Sequence, residues 1–182
     1  MATLRKAAAY SKKKVTAFTR WSKKRQKSFI KMVPPQKIVK FNMGKERSWR
    51  AGKLPHEITI ITTEKVQIRD HALEACRQFL NKGLENGVSG VYFLKIMAFP
   101  HHIQRENKML TGAGADRMQT GMQLSFGKSV GKAAILKAGS PVFFIAVKTK
   151  GAVVKVRKLA KQIKSKVPFK MKVLYEKKEK KE

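Results

Sequence analysis

The chain has 182 residues, with 42 Lys and Arg against 11 Asp and Glu, and carries a formal charge of +31. That length suits one domain with a real core, and a hydrophobic content of 42% excludes disorder throughout. A charge so far beyond the needs of solubility calls for a polyanionic partner, either nucleic acid or an anionic membrane surface.

In chain order, the first stretch with a pattern is "YSKKKVTAFTRWSKKRQKSFIKMVPP" (10–35), where Phe18, Trp21 and Phe29 sit between basic clusters ahead of Pro34-Pro35. Its charge reads as a solvated tail, its interleaved aromatics as an arm that folds along RNA; either way residues 1–35 stand outside the core. "KIVKFNMG" (37–44) reads as a strand stopped by glycine. "EITIITTEKVQI" (57–68) is β-branched almost throughout and reads as one strand. From Asp70 the period becomes helical, with Ala72, Leu73, Cys76, Phe79 and Leu80 on one face and Gly83 as the expected C-cap, a helix over 70–82. "VYFLKIMAF" (91–99) is a further apolar strand, closed by Pro100. Residues 133–149 read as two strands around Ala138-Gly139-Ser140-Pro141. A second amphipathic helix (150–166) turns Ala152, Val156, Leu159 and Ile163 inward and Arg157, Lys161 and Lys164 outward. "FKMKVLY" (169–175) is the last strand, and 176–182 a charged tail.

These elements predict an α/β fold, a two-layer α/β sandwich: a mixed sheet with two helices on one side, plus the basic N-terminal arm and a long Gly-rich loop. The sandwich is expected over 36–175, with the loop inserted at 100–131. Charge follows this division. Residues 1–53 carry +16, residues 54–99 carry 0 and residues 100–182 carry +15. The neutral block holds much of the best core pattern.

The loop invites a nucleotide-binding reading that its spacing refuses. Gly121 and Gly127 enclose five residues before Lys128-Ser129, where a phosphate-cradling loop requires four. After Gly112-Ala113-Gly114 the third glycine of a dinucleotide fingerprint is replaced by Arg117. Catalytic groups are equally absent from the pattern. His101 and His102 are adjacent, so on extended chain they point opposite ways, and only Glu106 follows at ligand spacing. Glu106 and Asp116 lie among Arg105, Lys108 and Arg117 and brace them better than they form a catalytic pair. Cys76, the single cysteine, lies on an apolar helix face, so it reads as a buried thiol; it excludes an internal disulfide framework and a multi-thiol zinc site. No catalytic residue, metal or cofactor is expected. Met109, Met118 and Met122 are either anchors at the loop base or soft contacts to a partner.

No apolar run approaches the roughly 18 residues of a membrane span, and no apolar h-region follows the basic start, so no secretory signal is expected. The acid-free start, residues 1–31, leaves a transit peptide open on charge alone. The chain reads as intracellular and reduced.

The stretches "VPPQKIVKFNMG", "GVYFLKIMAFP" and "PHHIQRENKMLTGAGADRMQTGM", the last followed by "FGK", resemble the universal large-subunit ribosomal protein family sixteen, in its archaeal and eukaryotic L-ten-e branch. The resemblance runs from about residue 20 to 175, with a lysine-rich arm between Tyr10 and Pro34 and a "LSFGKSVGKAA" loop end that depart from the usual form. It implies a non-enzymatic, cytoplasmic constituent of the large ribosomal subunit. Such a protein binds large-subunit ribosomal RNA between the central protuberance and the peptidyl transferase region, and its loop points toward the transfer RNA sites. Its implied partners are large-subunit ribosomal RNA, 5S RNA, transfer RNA and neighbouring ribosomal proteins, with no membrane. The expected RNA-binding residues are Arg20, Trp21, Arg25, Arg47, Arg50, His101, His102, Arg105, Asn107, Lys108, Gly112, Gly114, Arg117, Gln119, Lys128 and Lys132. Arginines and lysines neutralise phosphate, Asn107 and Gln119 can bond bases or 2′-hydroxyls, and Gly112, Gly114 and Gly121 permit close backbone approach. Two other classes compete. A nucleic-acid-modifying enzyme would want acids or His/Cys at the loop, and a peripheral membrane binder would want an amphipathic anchor in place of the glycines and amides at 105–121.

Overall fold

The computed structural model describes residues 6–11, 17–19, 30, 32–88, 91–106 and 128–178. Along the chain run β1 (Asn42–Gly44), α1 (Glu46–Arg50), β2 (His56–Thr62), β3 (Val66–Arg69), α2 (Asp70–Gly87), β4 (Tyr92–Ile96), β5 (His102–Glu106), β6 (Lys128–Leu136), β7 (Pro141–Val147), α3 (Lys150–Ile163) and β8 (Met171–Lys177).

The architecture is α/β, but the expected single mixed sheet is two sheets with every pairing antiparallel. One has five strands in the order β1-β4-β7-β2-β8, the other three in the order β3-β6-β5. The run 57–68, expected as one strand, is β2 in the larger sheet and β3 in the smaller. Thr62 makes the break: its buried hydroxyl bonds the carbonyl and N–H of Glu64, at 2.9 and 3.3 Å, turning the chain over an exposed Thr63–Lys65. The chain crosses back the same way. β6 and β7 flank the expected turn, yet they belong to different sheets. Gly139 at φ +81 donates to Thr62 O at 2.7 Å, and Thr62 donates to Ser140 O at 3.1 Å, so these two of the four sheet changes lie side by side.

One core cluster joins the layers. Ile58, Ile60, Leu94, Ile96, Phe143 and Ile145 of the large sheet and Ile68, Ala134 and Leu136 of the small one meet Leu73, Cys76, Leu80 and Leu84 of α2. Val153, Val156, Ala160 and Ile163 of α3 complete it. Each buried aliphatic side chain contributes about 1.5–3 kcal/mol relative to exposure. Thr149 caps α3, its Oγ1 accepting from Ala152 N–H at 3.3 Å. α2 continues past Gly83, its expected C-cap, to Gly87, where Lys155 of α3 donates to the Gly87 carbonyl at 2.6 Å.

The expectation of two helices on one side holds for α2 and α3, while α1 lies against the other face of the large sheet. There Trp49 stacks on Phe93 at 5.1 Å and meets Phe144 edge-on, over Leu54 and Ala146. Two strands are shorter than expected. Of 37–44 only Asn42–Gly44 is strand, with one more backbone bond from Ile96 N–H to Phe41 O at 2.9 Å, and β4 stops at Ile96, leaving Met97 and Phe99 exposed. The span 100–131, expected as an inserted loop, begins and ends in strand: β5 and β6 form its stem.

Candidate nucleic-acid interface

Three surfaces gather the charge. The first is the β1–α1 shelf. Gly44 takes φ +84 and passes so close to β4 that a Cβ there would lie 2.2 Å from Tyr92 O, and Lys45 N–H bonds the same carbonyl at 2.8 Å. Only glycine allows that approach. It presents Lys45, Arg47 and Arg50 beside a groove of about 680 Å³ lined by Lys40, Asn42, Arg77, Asn81 and Tyr92 among others. Arg47 is exposed. Arg50 is exposed too but pairs with Glu46 at 2.6 Å, and that hydrogen bond holds the Glu46 carboxyl below its ordinary range. Arg77 is committed to Glu74 at 2.6 Å and donates to Met43 Sδ, so it lines the groove without offering a free charge.

The second surface is the stem. Glu106 and Lys128 are cross-strand partners, and the register shifts between Gln104 and Arg105. Lys128 is exposed and Lys132 half-buried. The expected contacts here divide. His101 keeps an accessible ring, its Nδ1 3.1 Å from Phe99 O. His102, expected to face RNA, is 3% exposed, and its Nδ1 accepts from Phe18 N–H at 3.1 Å. Burial, helped by His101 and Arg105, lowers its pKa to about 4, so the ring is neutral with its proton on Nε2. Arg105 is half-buried with its guanidinium 4.3 Å from the centre of the Phe18 ring. The N-terminal segment, expected to stand apart from the core, is therefore docked at Phe18, and Ser11 is buried.

The third surface escaped the sequence reading. Among the described residues, α1 covers one end of the face of the large sheet opposite α2 and α3. Beyond Trp49, one register row carries Lys95, Phe144, Thr59 and Leu174 across four strands. Ile61 and Lys172 pair on the next row, with exposed Met97 beyond β4. Half-buried apolar groups thus lie between lysines, an arrangement that suits bases over the sheet and phosphates at its rim. The alternation was visible at Lys95, set inside "VYFLKIMAF"; which face stays open was not.

Arg20, Trp21, Arg25, Asn107, Lys108, Gly112, Gly114, Arg117 and Gln119 lie outside the described residues. Among the described residues no group of His, Cys, Asp and Glu could hold a metal ion, and no helix is long and apolar enough to cross a membrane. The Cys76 thiol is buried, and that burial pushes its pKa up to about 12, far from a nucleophile's.

The chain is 40% identical over 175 residues to large ribosomal subunit protein uL16 of Sulfolobus acidocaldarius, covering 93% of this chain and 92% of that one. It is 40% identical to the protein of that name from Thermofilum pendens, over 81% of this chain and 86% of the relative. With that of Methanoculleus marisnigri it shares 46% identity over 66% of this chain and 69% of the relative. The model of the family described as ribosomal protein L16p/L10e matches residues 17–174. With that match running from residue 17 into the last described strand and over the three described helices, the chain belongs to the ribosomal protein L16p/L10e family.

Proposed function

We propose that the chain is a structural RNA-binding constituent of the large ribosomal subunit, working in translation without catalysis of its own. It holds large-subunit ribosomal RNA through the β1–α1 shelf, the stem and the open sheet face, touches neighbouring ribosomal proteins, and directs the 107–127 segment toward the transfer RNA sites near the peptidyl transferase region. 5S RNA is a further proposed contact. The observation that carries this reading is the distribution of charge: Lys95 and Lys172 flank a surface that displays half-buried Phe144, Leu174 and Ile61, the pairing of groups that single-stranded nucleic acid requires.

The test is binding of the full chain to a large-subunit RNA fragment across a salt series, beside anionic vesicles at matched salt. Each neutralised phosphate contributes a slope of roughly −0.7 to −0.9 in log K against log salt, so ten contacts give about −7 to −9. Lys95→Ala and Lys172→Ala should each lower the slope by about one contact. A slope near zero, or vesicles bound as tightly as RNA, rejects the reading.

A further inference from the structure

Tyr10 adopts φ +61, alone among the described non-glycine residues in having a positive φ. A bulky residue keeps that conformation only where its surroundings over-determine it. Here they do. The Tyr10 hydroxyl donates to Glu106 Oε1 at 2.7 Å, and its carbonyl accepts from Gln67 Nε2 at 3.1 Å. The carbonyl of the next residue, Ser11, accepts from Gln67 N–H at 2.9 Å. Phe18 then meets β5: its carbonyl accepts from Ile103 N–H at 2.8 Å, its N–H donates to His102, and its ring lies under Arg105. One short stretch grips both edge strands of the small sheet, β3 at Gln67 and β5 from His102 to Glu106.

The place it grips is the weakest part of the stem. β5 is an edge strand, and its pairing with β6 shifts register between Gln104 and Arg105, two rungs before the chain departs. A bulge disrupts the ladder locally, and strand ends fray, so β6 alone specifies the last rungs poorly. Phe18 bonds the outer edge of β5 at Ile103 just ahead of the shift, its ring lies under Arg105 just past it, and Tyr10 holds the terminal carboxylate.

We propose that Tyr10 and Phe18 are positioning residues: by holding Glu106 and Arg105 they set the direction in which the 107–127 segment leaves the sheet. The functional side of this role rests on the reading above that the segment serves translation.

The experiment uses full-length chains carrying Tyr10→Phe, Phe18→Ala or Phe18→Trp. It measures hydrogen exchange at 103–106 and 128–130, thermal stability, incorporation into large subunits and translation. Tyr10→Phe should speed exchange at the stem about tenfold, the worth of roughly one net hydrogen bond, and Phe18→Ala, which keeps its backbone bonds but loses the ring under Arg105, by about threefold. The core amides of β2, β4 and β7 should keep their protection, and particles should assemble but translate slowly. Phe18→Trp keeps a ring over Arg105 and should restore both stem protection and translation. Unchanged stem exchange, or an equal loss of protection throughout the domain, overturns the proposal. Faster stem exchange together with normal translation by a chain whose 107–127 segment has been replaced overturns the translation reading instead, while the anchoring itself stands.

Discussion

Gly83 of α2 and Leu159 of α3 are in direct apposition: a Cβ on Gly83 would lie 2.5 Å from Leu159 Cδ2 and 2.9 Å from Cδ1. Alanine is the better helix former by about 1 kcal/mol, but overpacking costs about 1–3 kcal/mol. Gly83→Ala should therefore destabilise the domain by up to about 2 kcal/mol. In a Leu159→Ala background the clash is gone, and the same substitution should stabilise by about 0.5–1 kcal/mol. Denaturant midpoints of the four chains check the reversal of sign; the same sign in both backgrounds would mean that the Leu159 side chain turns clear of the added methyl.

His102 gives the fold a defined acid sensitivity. Its pKa falls from the ordinary 6.5 to about 4 on folding, so the unfolded chain takes up the proton first as pH drops. Stability is complete above pH 6.5 and is lost between 6.5 and about 4, by about 3 kcal/mol at most. Glu74, held below its ordinary range by Arg77, loses its contribution only below pH 4.5. The window between belongs to His102. Urea unfolding of the parent and of His102→Asn across that window should show a flatter profile in the variant. Parallel profiles would assign the acid loss to another group.

Glu57 is buried beneath Trp49 and takes two hydrogen-bonding partners there, Trp49 Nε1 at 2.7 Å and Lys178 Nζ at 2.8 Å. Trp49→Phe keeps a ring on Phe93 but removes a donor to a carboxylate, at about 1.5–3 kcal/mol. Lys178 is largely exposed, so Lys178→Ala should cost under about 1 kcal/mol. Chemical denaturation of the two variants decides the ranking; equal losses would mean that the indole bond contributes no more than a surface pair.

Because Glu106 and Lys128 are cross-strand partners, a short hairpin turn can close the stem in place of 107–127. That replacement should keep the thermal midpoint and large-subunit incorporation but yield particles poor in translation. A replacement starting at 103 removes Ile103, which is 1% exposed, and should unfold the small sheet. Normal translation by the 107–127 replacement would reject a role for the segment in function.

Periodicity located α2, α3 and most strands because each buries one face, and burial leaves its mark at fixed spacing. It missed the split of "EITIITTEKVQI" because both halves are equally β-branched, and the break rests on one threonine hydroxyl turning back on its own backbone. The antiparallel arrangement was equally hidden. Helices between strands suggest a parallel ladder, but α2 joins β3 of the small sheet to β4 of the large one, and α3 joins β7 to β8, which run parallel only with antiparallel β2 between them. Gly83 looked like a helix end because its reason is Leu159, 76 residues away. Charge made the exposure of Arg47 and Lys128 legible. His102 was not, since its burial comes from Phe18, 84 residues earlier, through backbone bonds that carry no compositional signal.

The pairing of β2 with β8, from His56 opposite Lys177 to Thr62 opposite Met171, sets a timetable for the newly made chain. β2 is an apolar, β-branched strand, and one of its two sheet neighbours, β8, is encoded more than 100 residues further on. Until those residues are synthesised, one edge of "HEITIIT" has no ladder to join, the condition under which strands pair with other chains and aggregate. Termination before Met171 would make that transient state permanent. The yield of soluble protein should then depend more steeply on the final seven-residue strand than its half-exposed side chains suggest.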